Sequence, residues 1–158
     1  GRIYKVVLNA NNPLLGTITC VLDGDKLDGK AKMFHSPDNV CVTENYVYIQ
    51  EDPNGYPDTA DKTHYAQLYQ YNIQTGVLKT VLECDQTSAQ TAGYGTTSNM
   101  WEITGMIDIS DKVGIDGTFL LITQNHGWEN ASFTDVNANP NSSSNEGSVM
   151  YVIKGLER

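Results

Sequence analysis

Segments rich in Tyr, Val, Ile and Thr, each five to eight residues long, recur along the chain with Gly, Asn, Asp and Pro between them. Amphipathic helical periodicity is nearly absent. Short β-prone runs bounded by turn residues define strands, and a chain built almost wholly of them has no stripe with which to assemble helices. The pattern predicts strands near 3–8, 17–22, 38–43, 46–51, 66–73, 77–83, 102–109, 118–125 and 148–154. The fold class is all-β.

The strands recur in pairs. "IYKVVLNANNPLLGTITCVLDGD" and "LYQYNIQTGVLKTVLECD" each contain an aliphatic–Tyr strand, a turn reaching Gly16 or Gly76, and a second strand ending in an acid. "VMYVIKGL" repeats the first half of that unit. Two hairpins of another kind lie between the copies, "DNVCVTENYVYIQED" and "EITGMIDISDKVGIDGTFLLITQN". The order is outer pair, inner pair, outer pair, inner pair and half an outer pair. A repeated four-stranded antiparallel unit of this kind is the blade of a β-propeller. Residues 1–158 then form a single partial β-propeller domain of about two and a half blades, with both ends inside blades. Since propellers close with roughly four to eight blades, a fragment of a longer protein is expected. A β-sandwich is the competing architecture, as is an oligomer pairing its open sheet edges.

Composition excludes several functions. Hydrophobic residues are 39% of the chain, which suits a packed core; nineteen acids against ten bases give a net charge of −9. That balance opposes nucleic-acid binding, which needs clustered Lys and Arg, and suits solubility and divalent cations. No apolar run is long enough to span a membrane. Cys20, Cys41 and Cys84 lack metal-ligand spacing and read as core thiols, one disulfide with a leftover thiol being the alternative.

The chemistry resides in acids at strand ends. In "YVYIQED", Val47, Ile49 and Glu51 share one face, and Tyr46, Tyr48, Gln50 and Asp52 the other. Glu51 therefore continues an apolar row, where a carboxylate must be hydrogen-bonded or bound to a cation. Asp52, before Pro53-Asn54-Gly55, reads as a turn residue or a ligand. Asp38 and Asn39, after Pro37, cap a loop or ligate a hard cation such as calcium through oxygen. Glu102 opens the second inner hairpin, with Thr104, Met106 and Asp108 predicted on its face, so that Glu51 and Glu102 could converge on one axis. His126 reads as a solvated loop residue. "DGDKLDG" fails the EF-hand spacing. Asn130-Ala131-Ser132 and Asn141-Ser142-Ser143 fit the glycosylation triplet, which also arises by chance. "NANPNSSSNEG" reads as a polar loop. No nucleophile motif is present.

The two inner hairpins resemble the PhoX-type alkaline phosphatases and their relatives, secreted bacterial propeller proteins. "FHSPDNVCVTENYVYIQEDPNG" is similar to that family's F-x-x-PDN…ED segment, and "EITGMIDISDKVGIDGTFLLITQNHG" to its E-[VIL]-TG…DG-T-L-F-V-x-x-QHPG segment. "EGSVMYVIKGL" is similar to its returning strand, and together these cover roughly residues 32–155. The resemblance implies a six-bladed propeller whose central funnel holds calcium and, only in the phosphatases, iron. It also implies that Asp38, Asn39, Glu51, Asp52 and Glu102 stand at metal-site positions, with Glu51 and Glu102 the foremost ligands. Where the family has Gln-His-Pro-Gly, this chain has Gln124-Asn125-His126-Gly127. The implied function is the C-terminal part of a secreted, periplasmic or cell-surface metal-dependent phosphoester hydrolase, acting on a phosphoester small molecule in the parent and inactive alone. The alternatives are a non-catalytic, calcium-stabilised binding propeller and a purely structural fragment.

Overall fold

The computed structural model describes residues 1–53, 64–97, 100–130 and 146–158. It contains β1 (Arg2–Leu8), β2 (Gly16–Asp23), β3 (Pro37–Val42), β4 (Tyr46–Glu51), β5 (Gln67–Asn72), β6 (Leu78–Glu83), α1 (Gln86–Thr91), β7 (Glu102–Asp108), α2 (Ser110–Val113), β8 (Thr118–Glu129) and β9 (Glu146–Lys154). The nine predicted strands are all present. β8 runs four residues past its expected end. The two short helices were missed because neither is long enough to show periodicity. Asp85 starts α1 by accepting from the Ser88 N–H at 3.0 Å.

Among the described residues all pairing is antiparallel, in three open sheets: β1-β2, β3-β4-β5-β6 and β7-β8-β9. The pairs therefore occur in the order read from the sequence. β7 packs against β3 and β4, so the first strands of the second and third sheets are neighbours. Among the described residues no helix is long and apolar enough to cross a membrane.

The middle sheet is buried on both faces. Ile49 and Tyr69 pack with Leu22 of β2 and with Ala31 and Phe34 of the β2–β3 loop. Tyr48 and Leu68 pack with Ile103, Met106, Phe119 and Leu121 of the third sheet. Two-sided burial explains why Tyr48, Ile49, Gln50 and Glu51 are all 0% exposed. The first sheet is covered far less, leaving Tyr4, Val6, Leu8 and Ile18 exposed. The cysteines follow that division. Cys84 is partly buried against the core, and burial pushes its thiol up to about 12; Cys41 packs against the same core. Cys20, expected in the core, is exposed on β2.

A bulge corrects the expected face of Met106. Thr104 pairs with Ile122 but Met106 with Leu121, leaving Gly105 as the extra residue at φ +58°. Met106 thereby moves to the core face beside Ile103, while Glu102 and Thr104 stay on the other.

The last residues bind the third sheet to the second. The Gly155 N–H donates to the Gly117 carbonyl at 2.9 Å, the Tyr48 hydroxyl donates to the Glu157 carbonyl, and Asn45 Nδ2 donates to the Arg158 carbonyl at 2.8 Å. Arg158 Nε donates to Asp108 Oδ2 at 2.7 Å. Burial acts to raise the Asp108 carboxyl, but hydrogen bonds from Ser110 and Arg158 prevail and hold it below its ordinary range. The ion pairs of Arg158 with the exposed Asp111 and Asp116 are solvent-screened and add little.

Gly117 sits at φ +66°, and a Cβ there would run into the Leu156 carbonyl oxygen. Gly117→Ala should therefore destabilise the protein by about 2 kcal/mol in urea unfolding. Unchanged stability would show that residues 155–158 do not brace the third sheet.

Candidate functional site

β4 ends in two acids that follow opposite courses. Glu51 turns toward the first sheet, where four donors meet it. The His35 N–H donates to Oε1 at 2.7 Å, as does the Tyr69 hydroxyl at 3.0 Å. The Gln67 N–H donates to Oε2 at 2.9 Å, and His64 Nε2 lies 3.0 Å from the same oxygen. Since a carboxylate only accepts, His64 carries its proton on Nε2. The His35 ring stands edge-on to the His64 ring at 4.6 Å. Burial and the adjoining Glu51 charge both raise the Tyr69 phenol far above its usual range, keeping it a donor.

The loop entering β3 is shaped to this acid. Ser36 has φ +45°, an unusual conformation for a residue other than glycine. It allows His35 to present its N–H to Glu51 while the Ser36 carbonyl accepts from the Asp52 N–H at 3.1 Å. Glu51 in this geometry is a hydrogen-bonded structural acid. Its lone pairs are directed at protein donors, so it does not fit a metal ligand.

Asp52 belongs to the opposite face, toward the third sheet. There Glu102, 8% exposed, accepts from Gln124 Nε2 at 3.2 Å and lies 3.6 Å from His126 Nε2. Burial raises the Glu102 carboxyl above its ordinary value. Repulsion from Asp52 raises it further, against the opposing pull of Thr104 and His126. The acid that meets Glu102 is thus Asp52 rather than Glu51. Asp38 is the extra residue of a bulge in β3, since Pro37 pairs with Glu51 and Asn39 with Gln50. Asn39 Nδ2 donates to Asp38 Oδ2 at 2.7 Å and to Thr104 Oγ1 at 3.3 Å, crossing from β3 to β7. Four of the five candidate residues therefore gather where β3, β4 and β7 meet, and the fifth faces away.

His126 and Glu146 join this rim unforeseen. His126 lies within the extended β8, its Nδ1 is 3.1 Å from Glu146 Oε2, and the Gly127 N–H donates to Glu146 Oε1 at 2.9 Å. The polar run "NANPNSSSNEG" puts Glu146 in a loop, but it is the first residue of β9. The triplet at Asn141, most of that at Asn130, and the turn after Pro53 lie outside the described residues.

Among the described residues no three His, Cys, Asp or Glu side chains group closely enough to hold a metal by themselves. The rim's donors are nonetheless mostly hard oxygens, a type that calcium accepts. Asp52 and Glu102 supply two carboxylates to this rim. Away from the rim, a cavity of about 560 Å³ between β6 and β9 is lined largely by apolar side chains such as Leu82, Trp101, Tyr151 and Ile153. Its charged residues, Glu83 and Asp85, are both acids and offer nothing to a phosphate.

No protein-family model, curated protein or solved structure matches this chain. The site is therefore read from its own geometry.

Two outcomes follow. Glu51→Gln would place an amide N–H against donors and should cost about 3 kcal/mol in denaturant unfolding; a loss under 1 kcal/mol (roughly one exposed hydrogen bond) would contradict the hub. For Glu102, a raised carboxyl means that the folded state holds its proton more tightly than the unfolded state. Its contribution to stability is therefore present below the ordinary carboxylate range and is lost as pH rises through the raised value. In chelator, Glu102→Gln should remove that loss and be the more stable form at neutral pH. The check is the difference in midpoint between wild type and variant across acid to neutral pH. A difference that does not change with pH would show that Asp52 and burial do not strain Glu102.

Proposed function

We propose that the three sheets are consecutive blades of a PhoX-like β-propeller, and that the rim of Asp38, Asn39, Asp52 and Glu102 faces a calcium-binding funnel. The observation that carries this reading is the Asn39–Thr104 hydrogen bond that joins β3 to β7 beside Glu102, a partly dry setting in which the Asp52 charge repels the Glu102 carboxylate. Like charges so disposed favour a proton or a cation between them. The blade reading is supported by the order of strand pairs and by β7 packing against β3 and β4. The outer sheets expose apolar residues, among them Val6 and Ile18 on one and Met150 and Val152 on the other. Flanking blades, or a second copy through open edges, would cover them.

The activity proposed for the complete funnel is phosphoester hydrolysis outside the cytoplasm. An acidic rim alone repels a phosphoester. Calcium, when bound, reverses the local sign, neutralises phosphate oxygens and polarises water. The protein's own part is orientation: Gln124 fixes Glu102 Oε1, His126 lies between Glu102 and Glu146, and Asn39 links β3 to Thr104 of β7. A second reading, a calcium-stabilised binding propeller without catalysis, is favoured by the saturation of Glu51. Its four hydrogen bonds remove one of the carboxylates a hydrolytic centre would use.

Calcium should raise the thermal midpoint of this chain relative to chelator, and Asp52→Asn combined with Glu102→Gln should abolish that rise. An equal rise in the double variant would remove the rim from the proposal. Hydrolysis of a chromogenic phosphomonoester by the complete propeller, lost in chelator and restored by calcium, separates the two readings; calcium-dependent folding without turnover selects the binding protein.

A further inference from the structure

Gln50 is one of the most deeply buried polar residues of the chain. It is 0% exposed, and neither Oε1 nor Nε2 has a hydrogen-bond partner. Buried amides almost always find partners, because an unmet donor or acceptor in a dry interior is costly. An apolar residue of similar size would pack there at no such cost.

Its place in the sheet gives the reason. Gln50 alternates with Tyr48 and Asp52, so its side chain leaves β4 on the face that carries Asp52 toward the third sheet. Directly across the ladder stands Asn39, and paired residues share a face. Asn39 is itself oriented: its Nδ2 is committed to Asp38 and Thr104, which leaves Oδ1 as its acceptor end. Thr104 shares its face with Glu102 two positions before it. By face and register, the amides of Asn39 and Gln50 thus stand on the side of β3 and β4 that carries Asp52 and meets Thr104 of β7, next to Glu102.

We infer that Gln50 is a calcium ligand, its Oε1 completing with Asn39 Oδ1 the oxygen shell that Asp52 and Glu102 begin. The inference rests on the rim reading above and deepens it. It explains how calcium can be held where, among the described residues, no three acidic, His or Cys side chains gather, since calcium accepts neutral carbonyl oxygens as well as carboxylates. Two carboxylates with two amides suit a larger, flexible shell and favour calcium over magnesium, which demands a small octahedron. Nε2 is then free to donate to a carboxylate oxygen of the same shell.

The test uses the whole chain with calcium alone as probe, by titration calorimetry and thermal unfolding in chelator-treated buffer. Gln50→Leu and Gln50→Met should each weaken calcium affinity by about tenfold (one lost ligand, on the order of 1.4 kcal/mol) and leave the calcium-free midpoint equal to or above that of wild type. In the wild type, the Gln50 side-chain amide resonances should shift on adding calcium, a readout that requires no variant to fold. Unchanged affinity in both Gln50 variants, with affinity lost in Asp52→Asn, would overturn the Gln50 assignment and leave the rim intact, the amide then being served by water. Absence of calcium binding in the wild type would overturn the rim and this inference together.

Discussion

Four hydrogen bonds to one carboxylate organise the centre of this molecule. Glu51 is fully buried, and a buried carboxylate without partners costs several kcal/mol. Its donors come from the β2–β3 loop, from His64 and from β5, so satisfying it fixes three separate stretches of chain at once. Packing of Ala31 and Phe34 against Ile49 and Tyr69 brings the β2–β3 loop to this face, and the hydrogen bond from His35 to Glu51 sets where it crosses. The left-handed backbone of Ser36 is the local cost of bringing His35 to Glu51, and the Asp52 N–H bonding back to Ser36 closes the arrangement.

That anchor also determines what its neighbour does. Side chains alternate along a strand, so fixing Glu51 toward the first sheet commits Asp52 to the other side, where the third sheet brings Glu102. The two acids share a strand end and nothing else. One is surrounded by donors; the other faces a like charge that raises the proton affinity of Glu102. The first serves folding, and the second acts on the proton affinity of Glu102.

The sequence carried the strands well, because period-two patterning and turn residues are local signals. It also carried the pair order, since Gly16 and Gly76 occupy equivalent turns of two similar hairpins. Long-range relations were harder to read. That Glu51 is buried follows from its apolar row, but that His35, His64, Gln67 and Tyr69 supply its donors depends on tertiary contacts up to eighteen residues apart. The bulge at Gly105 moved Met106 to the core, and the single glycine within a strand pattern was its one available sign. His126 was misplaced because β8 continues through Gly127, a residue that ordinarily marks a turn. Gln50 gave no signal at all; an amide in a strand is common, and only burial on both faces of the middle sheet makes it anomalous.

The rim and the anchor are two consequences of one arrangement. A site that gathers Asp52 and Glu102 repels itself, and the sheets carrying those groups would separate if the rim were their main contact. They are held instead by the apolar cluster of Tyr48, Leu68, Ile103 and Phe119 beneath it, and by the Tyr48 hydroxyl reaching the Glu157 carbonyl. Repulsion at the strand ends is then tolerated, because the burial of several large side chains, about 1.5–3 kcal/mol each, exceeds what one partly buried like-charge pair can cost. Strain concentrated in so small a region is relieved most directly by positive charge. His126, placed between Glu102 and Glu146, opposes the rise in the Glu102 carboxyl.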